Sequence, residues 1–247
     1  MEVQFGSGVA WGFRTDSGVY TPMQFGILQD ISIDMSFNMK ELYGMYQFPV
    51  AIARGTAKWT GKAKHAQMRA RQWNDLFFGQ TLTTPAMLTT AFDEAATIPA
   101  TPYQVTVANS ASFVTDLGVK YVVGGVPLVK VASGPTTGQY SVNPATGVYT
   151  FAAADTALGV LISYTYTVTT AGSNKIAIAN QLLGTQPQFQ LNLFQTFNSK
   201  VANLQLNACV SSKLSLATKL EDWEVPELDF HILADTSNNV GFLSLSE

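Results

Sequence analysis

Charge is what this chain has least of. Only 13% of its 247 residues are Asp, Glu, Lys or Arg, about half the share usual in soluble domains. With hydrophobic residues at 47%, such a chain is expected to bury surface against copies of itself. The net charge of −3 points neither to a nucleic-acid binder nor to a protein of anionic membrane surfaces. One cysteine, Cys209, excludes an intrachain disulfide framework. It falls at a wet-face strand position and reads as a plain free thiol rather than a nucleophile. No apolar run approaches the roughly 18 residues a bilayer span needs. The opening MEVQFGSGVAWGF has no basic leader before an apolar core, so a soluble protein made in the cytoplasm is expected.

Histidine is equally scarce. His65 and His231 are the only two, far apart, with no Cys or carboxylate at metal-ligand spacing around them. Both read as surface or satisfied side chains. The chain carries no phosphate-cradling glycine motif, no G-x-S-x-G elbow and no H-E-x-x-H. Gly6-Ser7-Gly8 follows no strand and reads as part of a flexible N-terminal arm. No catalytic residue, metal site or cofactor is expected, and the chain does not read as an enzyme.

What is present is alternation. Phe189, Leu191 and Leu193 alternate with Gln188, Gln190 and Asn192; Leu204, Leu206, Ala208 and Val210 alternate with Asn203, Gln205, Asn207 and Cys209. A period of two predicts strands with one buried and one wet face. A wet face built of amides suits a surface that must be hydrated yet bind nothing tightly, such as a conduit wall. Upstream, Ile31, Ile33, Met35 and Phe37 alternate with Ser32, Asp34, Ser36 and Asn38. Gln47 to Lys64 gives a second long strand region, and Leu228, Phe230 and Ile232 mark a final strand. The period changes at Ala66. Ala66, Ala70, Trp73 and Phe77 lie at steps of four, three and four, which predicts one helix face, ended by Gly79.

Between Ala95 and Asn174 only Asp116, Lys120, Lys130 and Asp155 carry charge. Short strand patterns are separated there by turn signals, among them Asn143-Pro144-Ala145-Thr146-Gly147. The spacing predicts a small β-sandwich of Ig-like size. The expected organisation is a mostly-β (α+β) host domain over residues 1–100 and 171–247, with the sandwich inserted at 101–170 after a Thr- and Ala-rich connector.

Charge is also segregated. Arg54, Lys58, Lys62, Lys64, Arg69 and Arg71 form a basic window, and Glu221, Asp222, Glu224, Glu227 and Asp229 an acidic one. The two windows either pair within one chain or meet between copies, where a head-to-tail contact would generate rings or filaments.

The run from Leu28 to Gly79, LQDISIDMSFNMKELYGMYQFPVAIARGTAKWTGKAKHAQMRARQWNDLFFG, resembles the N-terminal part of tail tube proteins of long-tailed bacteriophages. The order is similar: a strand, a Glu-Leu-Tyr-Gly connector, a strand rich in Gly, Thr and Lys, then an outer helix. The VNPATGVYTF hairpin is similar to Ig-like decorations of phage structural proteins. The resemblance implies a virion structural subunit, with sheets from a hexameric ring closing into one β-barrel and rings stacking head-to-tail into a tube. Its partners would be copies of itself, the tape measure, baseplate and terminator proteins, a sheath where the tail is contractile, and viral DNA passing without sequence specificity; no membrane is involved. Gln188, Gln190, Asn192, Asn203, Gln205, Asn207, Ser32, Asp34 and Ser36 would line the lumen. Lys58, Lys62 and Lys64 would either face the lumen, offset by acids such as Asp34, or lie at a ring edge facing the acidic window; the ring edge is favoured. The Ala66 helix would cover the barrel's outer face. A tail-completion or baseplate-hub ring is the alternative within this class, and a carbohydrate-binding sandwich the alternative outside it.

Overall fold

A computed structural model describes residues 6–16, 21–67, 69–218 and 220–246. The chain is mostly β and divides into two compact units, residues 1–82 with 176–247 and residues 83–175. The residues 1–5 expected to begin an N-terminal arm, and Met68 of the expected helix, lie outside the described residues.

In the first unit the opening strands are β1 (Val9–Arg14), β2 (Met23–Gln24), β3 (Leu28–Tyr43) and β4 (Pro49–His65). After β4 the chain does not start a helix at Ala66. The Ala66 amide donates to the Ile27 carbonyl at 3.0 Å and that of Gln67 to Gly26 at 3.4 Å, which keeps the backbone extended. Helix α1 is only Ala70–Trp73, and Asn74–Phe78 follows as a π-helical turn. Widening the turn rotates the expected face. Gln72, Asn74 and Leu76 are buried, while Ala70, Trp73 and Phe77 are half-buried. Asn74 fixes this end, because its Oδ1 accepts from the Gln80 amide at 3.0 Å and its Nδ2 donates to the Gln80 carbonyl at 2.8 Å. Gly79 closes it at φ 62°, where a left-handed residue is needed.

The second unit is reached at β5 (Leu82–Thr83) and left at β13 (Lys175–Ile176). Between them run β6 (Met87–Thr97), β7 (Gln104–Thr106), β8 (Phe113–Tyr121), β9 (Val129–Lys130), β10 (Gln139–Asn143), β11 (Val148–Phe151) and β12 (Gly159–Val168). They form two sheets, ordered β7-β11-β10-β9 and β6-β12-β8, around one core that includes Val119, Tyr140, Tyr149, Phe151, Val160, Ile162 and Tyr164. The segment expected to be a connector is therefore strand β6, paired with β12 from Thr97↔Gly159 to Met87↔Val168. Its Thr and Ala content hid the period, and a register shift opposite Ser163 breaks the alternation. The expected boundary at residue 100 falls past that strand. Asp116 ties the two sheets together, accepting from the Tyr140 and Tyr149 hydroxyls at 2.9 Å each and from Lys130 Nζ at 2.9 Å.

The chain then returns to the first unit as β14 (Phe189–Phe197), β15 (Lys200–Ser215), β16 (Glu227–Leu233) and β17 (Gly241–Leu245). Its sheet is ordered β2-β1-β14-β15-β16-β4-β3, and β17 also pairs with β15. One face packs Phe189, Leu191, Leu206, Leu228, Phe230 and Ala63 against Phe25 and Leu76. Each such large side chain contributes about 1.5–3 kcal/mol by leaving water. Gly61 leaves room for Phe230: a Cβ there would overlap the ring.

Strand β15 departs from strict alternation. Phe189 pairs with Cys209 but Leu191 with Leu206, so an extra residue bulges out and inverts the parity beyond it. Cys209 is consequently a core residue, fully buried, not the wet-face thiol expected from the sequence. Ala208 and Val210 take the opposite face. A second shift between Ser211 and Lys213 restores Leu214 to the core side.

Candidate functional site

Directly opposite residues of paired strands share a face, so register shows which polar side chains gather. Asn192 faces Gln205, Asp229 faces both Lys213 and Lys62, Glu227 faces Lys64, and Ser32, Asp34 and Ser36 face Lys62, Thr60 and Lys58. Gln190, Asn192, Asn203 and Gln205 thus lie on the same side of the sheet as Ser32, Asp34 and Ser36, away from the π turn and the core. Gln188 precedes β14 and is exposed. Asn207 sits at the bulge, where it accepts from Gln205 Nε2 at 3.1 Å and donates to Asp235 at 2.8 Å.

This face is not uniformly polar. Trp11 pairs with Asn192, Phe13 with Gln190, Phe194 with Asn203 and Phe242 with Gln205. Sequence reading missed Trp11, Phe13 and Phe242 because β1 and β17 are too short to display a clear period, while Phe194 continues the amide parity of β14 with an aromatic ring. The face therefore has an amide and aromatic half on β1, β14, β15 and β17, and a charged half on β16, β4 and β3.

On the charged half, cations and anions balance: Lys58, Lys62, Lys64 and Lys213 share the surface with Asp30, Asp34, Glu227 and Asp229. Lys62 Nζ lies 3.1 Å from Glu227 and 3.7 Å from Asp229, and Lys64 Nζ lies 3.8 Å from Glu227 and 4.0 Å from Asp30. The hydrogen bond from Lys62 holds the Glu227 carboxyl below the usual carboxylate range, and the same bond raises the lysine. Adjacency of β4 and β16 brings Lys62 and Lys64 to Glu227 and Asp229 within one chain, whereas Lys58 lies beyond the last β16 pair, opposite Ser36.

The remaining window residues disperse. The Arg54 guanidinium lies 4.8 Å from the centroid of the Phe37 ring, Arg69 donates to Gln67 at 3.3 Å, and Arg71 reaches Thr21 at 3.0 Å and Asp75 at 3.8 Å. Glu221, Asp222 and Glu224 belong to the segment between β15 and β16, which also exposes Trp223 at 85%.

The second feature is the β3–β4 ribbon. Pairing of β4 with β16 stops at Trp59↔Ile232, whereas pairing of β3 with β4 continues to Tyr43↔Pro49. From Val50 to Lys58 every residue is exposed, as is every residue from Asp34 to Phe48. At about 3.4 Å per residue the ribbon runs roughly 30 Å past its last neighbouring strand. Its tip is rich in exposed apolar side chains: Met45 is 90% exposed, Phe48 83%, Tyr46 77% and Val50 73%. A two-stranded ribbon is marginal alone in water, and exposed apolar patches of this extent mark interaction sites.

Elsewhere the chemistry is closed. His65 is buried against Phe25, ring centroids 5.5 Å apart, and accepts from Trp73 Nε1 at 3.5 Å; burial lowers its pKa and keeps it neutral. Burial pushes the Cys209 thiol up to about 12, which removes its nucleophilicity at neutral pH. In the second unit a cavity of about 220 Å³ is lined by Phe92, Asp93, Lys120 and Ser163. Its charged groups satisfy each other, with Lys120 Nζ 2.6 Å from Asp93 and Ser163 Oγ 3.3 Å from the same carboxylate. Among the described residues no His, Cys, Asp and Glu group is arranged to hold a metal ion, and no helix is long and apolar enough to cross a membrane. No protein-family model matches the chain, and no curated protein matches it in sequence.

Proposed function

We propose that this chain is the subunit of a hollow protein tube, the tail tube of a long-tailed bacteriophage, through which viral DNA passes. The observation that carries the reading is the exposed apolar β3–β4 ribbon projecting from a sheet whose face away from the core is polar and charge-balanced. The ribbon supplies what a self-assembling subunit needs, a large apolar surface that only another protein can cover. The face supplies what a conduit needs, a hydrated wall without a net positive field. Sheets joined edge to edge in a closed ring would also remove the open edge of β3, which otherwise invites uncontrolled pairing. Residues 83–175, on this reading, are an Ig-like decoration that assembly does not require.

Electron microscopy of the purified protein tests the proposal. Sixfold rings stacked into tubes are the expected result. Single rings that never stack would favour a tail-completion or hub ring, and a monomer at high concentration would overturn the tube reading.

A further inference from the structure

Two cationic side chains of the polar face, Lys62 and Lys64, have carboxylate neighbours within 4.0 Å. Lys62 and Lys64 are 56% and 43% exposed, so a polyanion could reach them. Glu227 lies between them, at 3.1 Å from Lys62 and 3.8 Å from Lys64, with Asp229 and Asp30 flanking at 3.7 and 4.0 Å. Single exposed ion pairs contribute little to stability, about 0–1 kcal/mol each, so fold stability is a weak reason for building this lattice. Its electrostatic consequence is larger. A phosphate approaching either lysine meets a carboxylate within the same few ångströms, well inside the Debye length of about 8 Å at physiological salt. Lysines already neutralised in the protein release few counterions from a polyanion, and counterion release is the source of sequence-independent affinity for DNA.

We propose that Glu227 and Asp229, with Asp30 at the strand edge, mask a latent polyphosphate-binding surface formed by Lys62 and Lys64. This deepens the conduit reading and rests on it for its biological meaning: the wall carries lysines that hydrate it and set its register, while the carboxylates deny them to passing DNA. Glu227 is the central masking residue because, among the described residues, it is the one carboxylate within 4.0 Å of both lysines.

Fluorescence anisotropy on unassembled protein, with a labelled 20-base-pair duplex as probe, tests the masking independently of tube formation. Wild-type protein is expected to bind negligibly at 50 mM salt. Glu227→Gln with Asp229→Asn should raise affinity at least tenfold, with a log–log salt slope of about −2 for two unmasked lysines. Adding Lys62→Gln and Lys64→Gln should return binding to the wild-type level. Glu227→Gln alone, which removes the carboxylate shared by both lysines, gives a second route to unmasking should the double variant fold poorly, and it should also raise affinity. Unchanged affinity in folded variants, equal affinity of the wild type, or gained binding that survives loss of both lysines would each overturn the proposal. Because microscopy alone reads tube assembly, a failed tube with successful unmasking, or the reverse, separates the two claims.

Discussion

At the residue scale the sharpest consequence concerns His65. Its ring is 1% exposed, stacked on Phe25 and fixed by the Trp73 indole, and burial depresses its pKa. The unfolded chain takes up a proton near the ordinary histidine value of about 6.5, which the folded chain resists. The stability associated with neutral His65 is therefore intact above that value and is lost as pH falls towards the depressed folded value. Thermal midpoints measured from pH 8 to pH 5 should fall for the wild type. They should fall less for His65→Gln, which lacks the titrating ring, and parallel profiles would show that another group governs the acid limb. The sequence predicts a surface or satisfied side chain at His65. Its burial depends on Phe25 and Trp73, whose approach no local pattern encodes. Cys209 shows the same limit. Its position in an alternating run is plain, but one bulge, invisible in the pattern, moved it from the wet face to the core.

At the scale of elements, the long strands were legible because each has one apolar face over many residues. Ile31 and Ile33 in β3, Leu191 and Leu193 in β14, and Leu228, Phe230 and Ile232 in β16 all pack on the core as their period requires. The hairpin of β10 and β11 was equally plain, since Asn143 and Gly147 form its turn, with Gly147 at φ 61° and its amide bonded to the Asn143 carbonyl at 2.9 Å. The helix was not, because apolar spacing over Ala66–Phe77 also fits a strand end followed by a π turn, and tertiary hydrogen bonds at Ala66 and Asn74 decide between them. The projection of the β3–β4 ribbon was also hidden: alternation reports that a strand exists, not that its neighbour ends at Trp59. That ribbon makes a direct prediction. Met45→Ser with Phe48→Ser alters only exposed side chains, 90% and 83% accessible, so unfolding free energy should change by no more than about 0.5 kcal/mol per site. If the conduit reading holds, tube formation seen by microscopy or sedimentation should be lost. Normal tubes from this variant would show that the ribbon tip has no part in contacts between copies.

At the scale of the whole molecule, two cores with separate residues imply two folding units threaded by one chain. Among the described residues, the Phe230 core of the first unit includes none from 83–175, and the Tyr164 core of the second includes none outside it. Where the division falls matters more than that it exists. Cutting out residues 101–170 would remove β12 and leave β6 without the partner it pairs with from Met87 to Thr97, stranding an 11-residue strand with unsatisfied backbone groups and an open edge. Cutting out residues 83–175 and joining Leu82 to Ile176 with a short Gly/Ser bridge removes β6 together with its partners. Closing a loop of such length costs little that depends on its detail. The first deletion is expected to aggregate on expression; the second should be monodisperse or assembled, with a cooperative melting transition. If the conduit reading holds, the second should also form tubes of unchanged inner diameter, since the polar face belongs wholly to the first unit. A soluble, folded product from the 101–170 deletion would place the boundary back at the end of β6 and make that strand part of the host sheet's surroundings.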